Sequence, residues 1–135
     1  MPNSKATKII AMIARILLGL MFLVFGLNGF FHFMPMPPMP EAVNKWMAGV
    51  STGGYFFPLL AATQIFVGVC LLTGFFVPLA LVVLLPLTIN IFLFHAFVEG
   101  PSTLGMPVGI LILQIYLAWV YREYYRKLLT PRALL

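Results

Sequence analysis

The side chains of this protein that can make directed polar contacts are few, and their spacing is informative. Asn28 and His32 stand four residues apart and share a face if that stretch is helical. Thr88, Asn90 and His95 lie in a later apolar stretch, and Gln64, beside Thr63, and Gln114 each interrupt another. Amides donate and accept hydrogen bonds, and imidazole does either according to its tautomer and can move a proton. Such a set can hold a small ligand or tie helices together. Arg15 lies inside an apolar run, where its guanidinium either snorkels to lipid phosphates or binds an anionic headgroup. His32, Met34, Met36 and Met39 are soft donors of the kind that suit Cu(I). His32 and His95, at similar depth, could flank a haem. Apolar loop residues and separate imidazoles are the simpler readings, and no metal site is expected. A lone cysteine, Cys70, excludes an internal disulfide and reads as a small buried hydrophobe. There is no nucleophile–base pair, phosphate loop or HExxH motif. Glu99 and Glu123 fall at the ends of apolar stretches, which argues against a carboxylate proton relay, and catalysis by this chain alone is not expected.

The elements that position these groups follow from composition. The 135-residue chain is 62% hydrophobic and 8% charged, with mean hydropathy +1.06, which excludes a soluble globular or disordered protein. A bilayer core about 30 Å thick needs roughly 20 apolar helical residues. Four stretches qualify, at about 9–33, 55–73, 75–98 and 106–121, the last reaching full thickness with Arg122 and Arg126 snorkelling. The first has too long an apolar run, and no cleavage site, for a signal peptide. Gly74 predicts a tight reversal between the second and third. The loop at about 34–54 opens with four prolines in the seven residues Met34 to Pro40 and continues into a short interfacial helix from Glu41 to Val50. Trp46 and Tyr55 suit the headgroup level. Of the eight Lys and Arg residues, only Lys45 lies in the loops on the far side from the termini. The positive-inside rule then places both termini in the cytoplasm, as an even number of spans requires. With a formal net charge of +5 the basic residues set topology, and nucleic acid is not an expected partner. The expected architecture is all-α: one transmembrane domain over residues 1–135, an integral membrane four-helix bundle.

On that topology Asn28, His32, Asn90 and His95 fall in the outer half, and Gln64 and Gln114 near the midplane. The inner half holds almost nothing polar except Arg15 and the terminal charges. The asymmetry predicts an outward-opening pocket beneath the proline-rich loop, or interhelical glue. Thr88 and His95 share a face, whereas Asn90 points about 140° from His95 on ideal helical geometry, so both aim at one point only if Pro86 kinks the helix. Gly19 and Gly26, on the Arg15 face, and Gly68 and Gly109 are candidates for close helix approach.

Arg15-Ile16-Leu17-Leu18-Gly19-Leu20 and Gly26-Leu27-Asn28-Gly29-Phe30 resemble the first helix of DoxX-family membrane proteins. The resemblance continues through Pro35 to Pro40, Gly54 to Leu60, Gly68 to Gly74, Phe76 to Leu81, Asn90 to His95 and Tyr116 to Arg122. It implies a small four-helix protein of the bacterial inner (cytoplasmic) membrane, associated with quinone-dependent sulfur oxidation and oxidative-stress complexes. Relatives often carry a glutamate where this chain has Gln64, so any chemistry of that carboxylate is absent here. The expected role is therefore a membrane subunit of a redox system, in contact with lipid and other subunits. It would bind a quinone or similar lipophilic ligand through Asn28, His32, Gln64, Asn90, His95 and Gln114, with Arg15 at a lipid headgroup. The alternatives are a scaffolding subunit without ligand and a small-molecule transporter.

Overall fold

The computed structural model describes residues 4–35 and 38–131, and among these every regular element is helical. Met36, Pro37 and Arg132, which entered the loop, copper and charge arguments, lie outside the described residues. Helix α1 (Lys5–Phe31) is followed by a short α2 (Glu41–Ser51), then α3 (Phe56–Thr73), α4 (Val77–Phe94) and α5 (Gly105–Val120). A π-turn, His95–Glu99, and a 3-10 turn, Pro101–Thr103, link α4 to α5, and a second 3-10 turn, Arg122–Tyr125, follows α5. Three helical segments, Lys5–Phe31, Phe56–Thr73 and Val77–Glu99, are long and apolar enough to cross a membrane. Helix α5 is equally apolar but has 16 residues, about 24 Å at 1.5 Å per residue.

Helices α1, α3, α4 and α5 carry apolar residues on both their buried and their exposed faces, as expected where one face meets protein and the other meets lipid. On α1 the buried stripe is Ala11, Ala14, Leu18, Gly19, Phe22 and Gly26, at helical spacing. Ile9, Ile13, Leu17 and Leu20 remain exposed on the other side. Helices α1 and α3 pair most closely, in antiparallel register. A Cβ on Gly19 would lie 2.8 Å from Leu71 Cβ, one on Gly26 2.7 Å from Ile65 Cγ1, and one on Gly68 2.6 Å from the Leu23 amide nitrogen. The expected close approach therefore holds at Gly19, Gly26 and Gly68. At Gly109 it does not. Nothing lies within 4 Å of a Cβ there, and α1 and α5 part around it into an apolar groove of about 540 Å³ bordered by Leu17, Met21 and Leu113.

Two ends result. The turn end carries the start of α1, the Gly74 reversal and the end of α5. The loop end carries α2 and the π-turn. Gly74 has φ +83 and its N–H bonds to the Cys70 carbonyl at 2.9 Å, so the predicted αL stop is present. Phe76 also has positive φ (56), and Pro78 then opens α4. Tyrosines fasten this end: the Tyr116 hydroxyl donates to the Thr7 carbonyl at 3.3 Å and the Tyr125 hydroxyl to the Pro78 carbonyl at 2.9 Å.

Tyr125→Phe is expected to cost about 0.5–1.5 kcal/mol, the net value of one such bond. Burial, and secondarily Tyr121, pushes the Tyr125 phenol up to about 12. An unfolded tyrosine ionises near pH 10. Between roughly pH 10 and 12 the unfolded chain thus binds fewer protons than the folded one, and stability falls as pH rises. The melting temperature in detergent should decline over that window in the native chain, and decline less in Tyr125→Phe.

Candidate functional site

The loop end is built where α4 stops. The π-turn brings the Gly100 N–H to the His95 carbonyl at 2.9 Å. Gly100 has φ +130, a conformation L side chains rarely adopt, and Thr103 Oγ1 donates to the Gly100 carbonyl at 2.7 Å. π-turns inside α-helices occur often at functional sites. This one sets His95 and Glu99 side by side, with Nε2 3.1 Å from Glu99 Oε2 and side-chain exposures of 16% and 20%. His95 Nδ1 lies 2.8 Å from the Ile91 carbonyl. A carbonyl only accepts, so Nδ1 carries a proton. Nε2 faces the Glu99 carboxylate, so the two side chains form a polar pair at the end of α4.

Helix α2 roofs this pair. Its less exposed residues are Val43, Trp46, Met47 and Val50, at i, i+3, i+4 and i+7, while Glu41 and Lys45 form an exposed ion pair at 3.2 Å on the opposite side. The short helix expected after the proline-rich segment is present as α2. The Trp46 ring lies 4.8 Å from that of Phe94 and 6.3 Å from that of Phe56, and Phe94 meets the His95 ring at 5.4 Å.

The other polar residues named from sequence are not gathered on one wall. Asn28 sits beside the end of α1, where its Oδ1 accepts the Met34 N–H at 2.8 Å. His32 is exposed and ends α1 with φ +51, its N–H on the Asn28 carbonyl. Gln64 is half-buried at the middle of α3. Thr88 is buried and bonded to the Leu84 carbonyl, His95 is part-buried, and Asn90 is exposed on the outside of α4. The divergence expected between Asn90 and His95 thus persists with Pro86 inside the helix. Gln114 is buried and donates to the Leu81 carbonyl at 3.2 Å, on the turn-end half of α4, and its Oε1 has no partner. Among the described residues no group of three or more His, Cys, Asp or Glu side chains comes together. For a haem, both His95 nitrogens are already engaged.

Glu99 is the functional-site candidate that sequence reasoning left as a span-end charge. Its signal was present, since His95-Ala96-Phe97-Val98-Glu99 is an i, i+4 pair. At the turn end Arg15 lines a cavity of about 270 Å³ with Thr7, Lys8 and Tyr121.

The model of the DoxX family matches residues 10–96, well over half of the chain. The chain belongs to the DoxX family. The match runs from α1 through α4 and includes Arg15, Asn28, His32, Gln64, Asn90 and His95. Glu99 and Gln114 of this DoxX-family chain lie beyond it. No curated protein and no solved structure matches the chain.

Proposed function

We propose that this chain is a multi-pass protein of the bacterial inner membrane, a four-helix bundle with both termini cytoplasmic. In this reading it holds a small lipophilic ligand with a carbonyl head, of the quinone class, at its outer loop end, and serves as the membrane subunit of a redox system whose electron-carrying centres sit on other chains. Membership of the DoxX family, three span-length apolar helices and the concentration of Lys and Arg toward the termini support the membrane placement. The observation that carries the ligand reading is the part-buried His95–Glu99 pair under Trp46, polar groups set beside aromatic rings that tolerate a planar ligand. In this reading the ligand carbonyl takes the place of the Glu99 carboxylate at His95 Nε2, Asn28 and His32 stand at the same end, and Gln64 lies below.

Trp46 makes the test direct. The chain has two tryptophans, so a Trp119→Phe background leaves Trp46 as sole reporter. In nanodiscs a short-chain benzoquinone should quench it saturably. Binding should weaken by about twofold to tenfold in His95→Ala, since a hydrogen bond contributes roughly 0.5–1.5 kcal/mol. Glu99→Gln, which replaces the carboxylate beside His95 Nε2 by an amide, should change the affinity less than His95→Ala does. Linear, unsaturable quenching that is equal in native chain and variants overturns the reading. It would leave the scaffold role, which the bond from Gln114 to the α4 backbone favours.

A further inference from the structure

At the turn end, four side chains that donate hydrogen bonds converge on one cavity of about 270 Å³: Thr7, Lys8, Arg15 and Tyr121. Ala11, Met12 and Val120 complete it with apolar surface. None of the four makes a side-chain hydrogen bond or ion pair among the described residues, and Arg15 Nε is fully buried without an acceptor. No carboxylate lines the cavity. Of the chain's three acids, Glu41 pairs with Lys45, Glu99 with His95, and Glu123 is engaged elsewhere and does not line the cavity.

The guanidinium is placed by packing rather than by a partner. It lies against Gly74, where any Cβ would collide with an Arg15 terminal nitrogen. A buried guanidinium N–H with no acceptor is unfavourable and calls for an anion. The composition of the cavity says which kind. Two cations and two hydroxyls match a group with several anionic oxygens, because guanidinium pairs with phosphate through its planar fork and hydroxyls add further donors. The apolar floor suits carbon attached to that group.

We propose that this cavity is a binding site for an anionic phosphate headgroup, with Arg15 and Lys8 neutralising the phosphate, Thr7 and Tyr121 donating to its oxygens, and Ala11, Met12 and Val120 taking the glycerol and first acyl carbons. The site is separate from the His95–Glu99 pair and stands whether or not that pair binds a ligand. An anionic phospholipid and free phosphate share the relevant chemistry.

The test is thermal unfolding of the full chain in a neutral detergent at low salt. Phosphatidylglycerol, phosphatidylcholine and inorganic phosphate are added in separate arms. A ligand that binds only the folded state raises the midpoint. Phosphatidylglycerol is expected to raise it by roughly 4 °C or more and phosphatidylcholine to leave it unchanged. Arg15→Gln should abolish the shift, and Lys8→Gln should reduce it. An equal shift with inorganic phosphate identifies a free anion as sufficient, and a shift with phosphatidylglycerol alone identifies the lipid. If Arg15→Gln does not fold, the double variant Thr7→Val with Lys8→Gln gives the same decision from the cavity rim. Equal response to phosphatidylglycerol and phosphatidylcholine with none to phosphate, or a full response in the variants, overturns the proposal.

Discussion

Gly68→Leu is expected to be the most damaging single substitution in the helical core. A Cβ at Gly68 would sit 2.6 Å from the Leu23 amide nitrogen and 2.8 Å from Leu23 Cα, so the collision is with backbone. Side-chain crowding can be relieved by a rotamer change, usually at a cost of about 1–3 kcal/mol. Backbone crowding requires α1 and α3 to separate, and these are the most closely paired helices of the molecule. Separation also strips contacts from Leu18, Phe22, Val67 and Leu71, all fully buried. A loss above roughly 3 kcal/mol is expected, a large part of the 5–15 kcal/mol typical of a domain. Gly109→Leu is the control, because nothing lies within 4 Å of its Cβ position, and it should stay within about 0.5 kcal/mol of the native chain. Reversible unfolding in mixed micelles, followed by fluorescence, compares the two. Equal losses would show that the α1–α3 approach is not what holds the helices together.

Gly74→Val is expected to be the next largest, for two separate reasons. Gly74 has φ +83, and a left-handed residue other than glycine costs about 1–2 kcal/mol, more for a β-branched one. The new side chain would also meet the Arg15 guanidinium. The expected loss is roughly 2–4 kcal/mol, combining backbone strain with displacement of a packed side chain. Gly74→Ala in an Arg15→Ala background separates the two contributions, since only the backbone term survives there. A loss at Gly74 that is unaffected by the Arg15 substitution would show that the guanidinium does not occupy the reversal.

The helices were readable because their signal is long and redundant. Apolar runs of span length, the Gly74 stop and the amphipathic stretch after Pro40 each carry one dominant physical cause, and the observed bounds fall within a few residues of those expected. The Gly19, Gly26 and Gly68 contacts followed from size alone. Gly109 did not, because an absent side chain permits close approach but does not supply a partner. Position along each helix was readable and the direction of the side chain less so. Asn90 and His95 lie near each other in sequence, yet one is exposed and the other part-buried, and only helical phase separates them. Gln114 looked like a midplane group and instead reaches the Leu81 carbonyl on the turn-end half of α4. The π-turn had no local signature apart from the Gly100-Pro101 stop that follows it. Glu99 was therefore seen as a terminal charge instead of the partner of His95. Around Arg15 the cation was legible but its neighbours were not, since Tyr121 comes from the far end of the chain.

The account depends above all on the loop end and the turn end facing opposite sides of the membrane, with both termini together. Single cysteines placed in a Cys70→Ser background, at Ser4, Ser102 and Thr130, and treated with a membrane-impermeant maleimide before and after cell disruption, test this directly. All three positions are exposed. Ser102→Cys should label in intact spheroplasts, and Ser4→Cys and Thr130→Cys only after disruption. Labelling of Ser4→Cys and Thr130→Cys from opposite sides, or of both from outside, would contradict it.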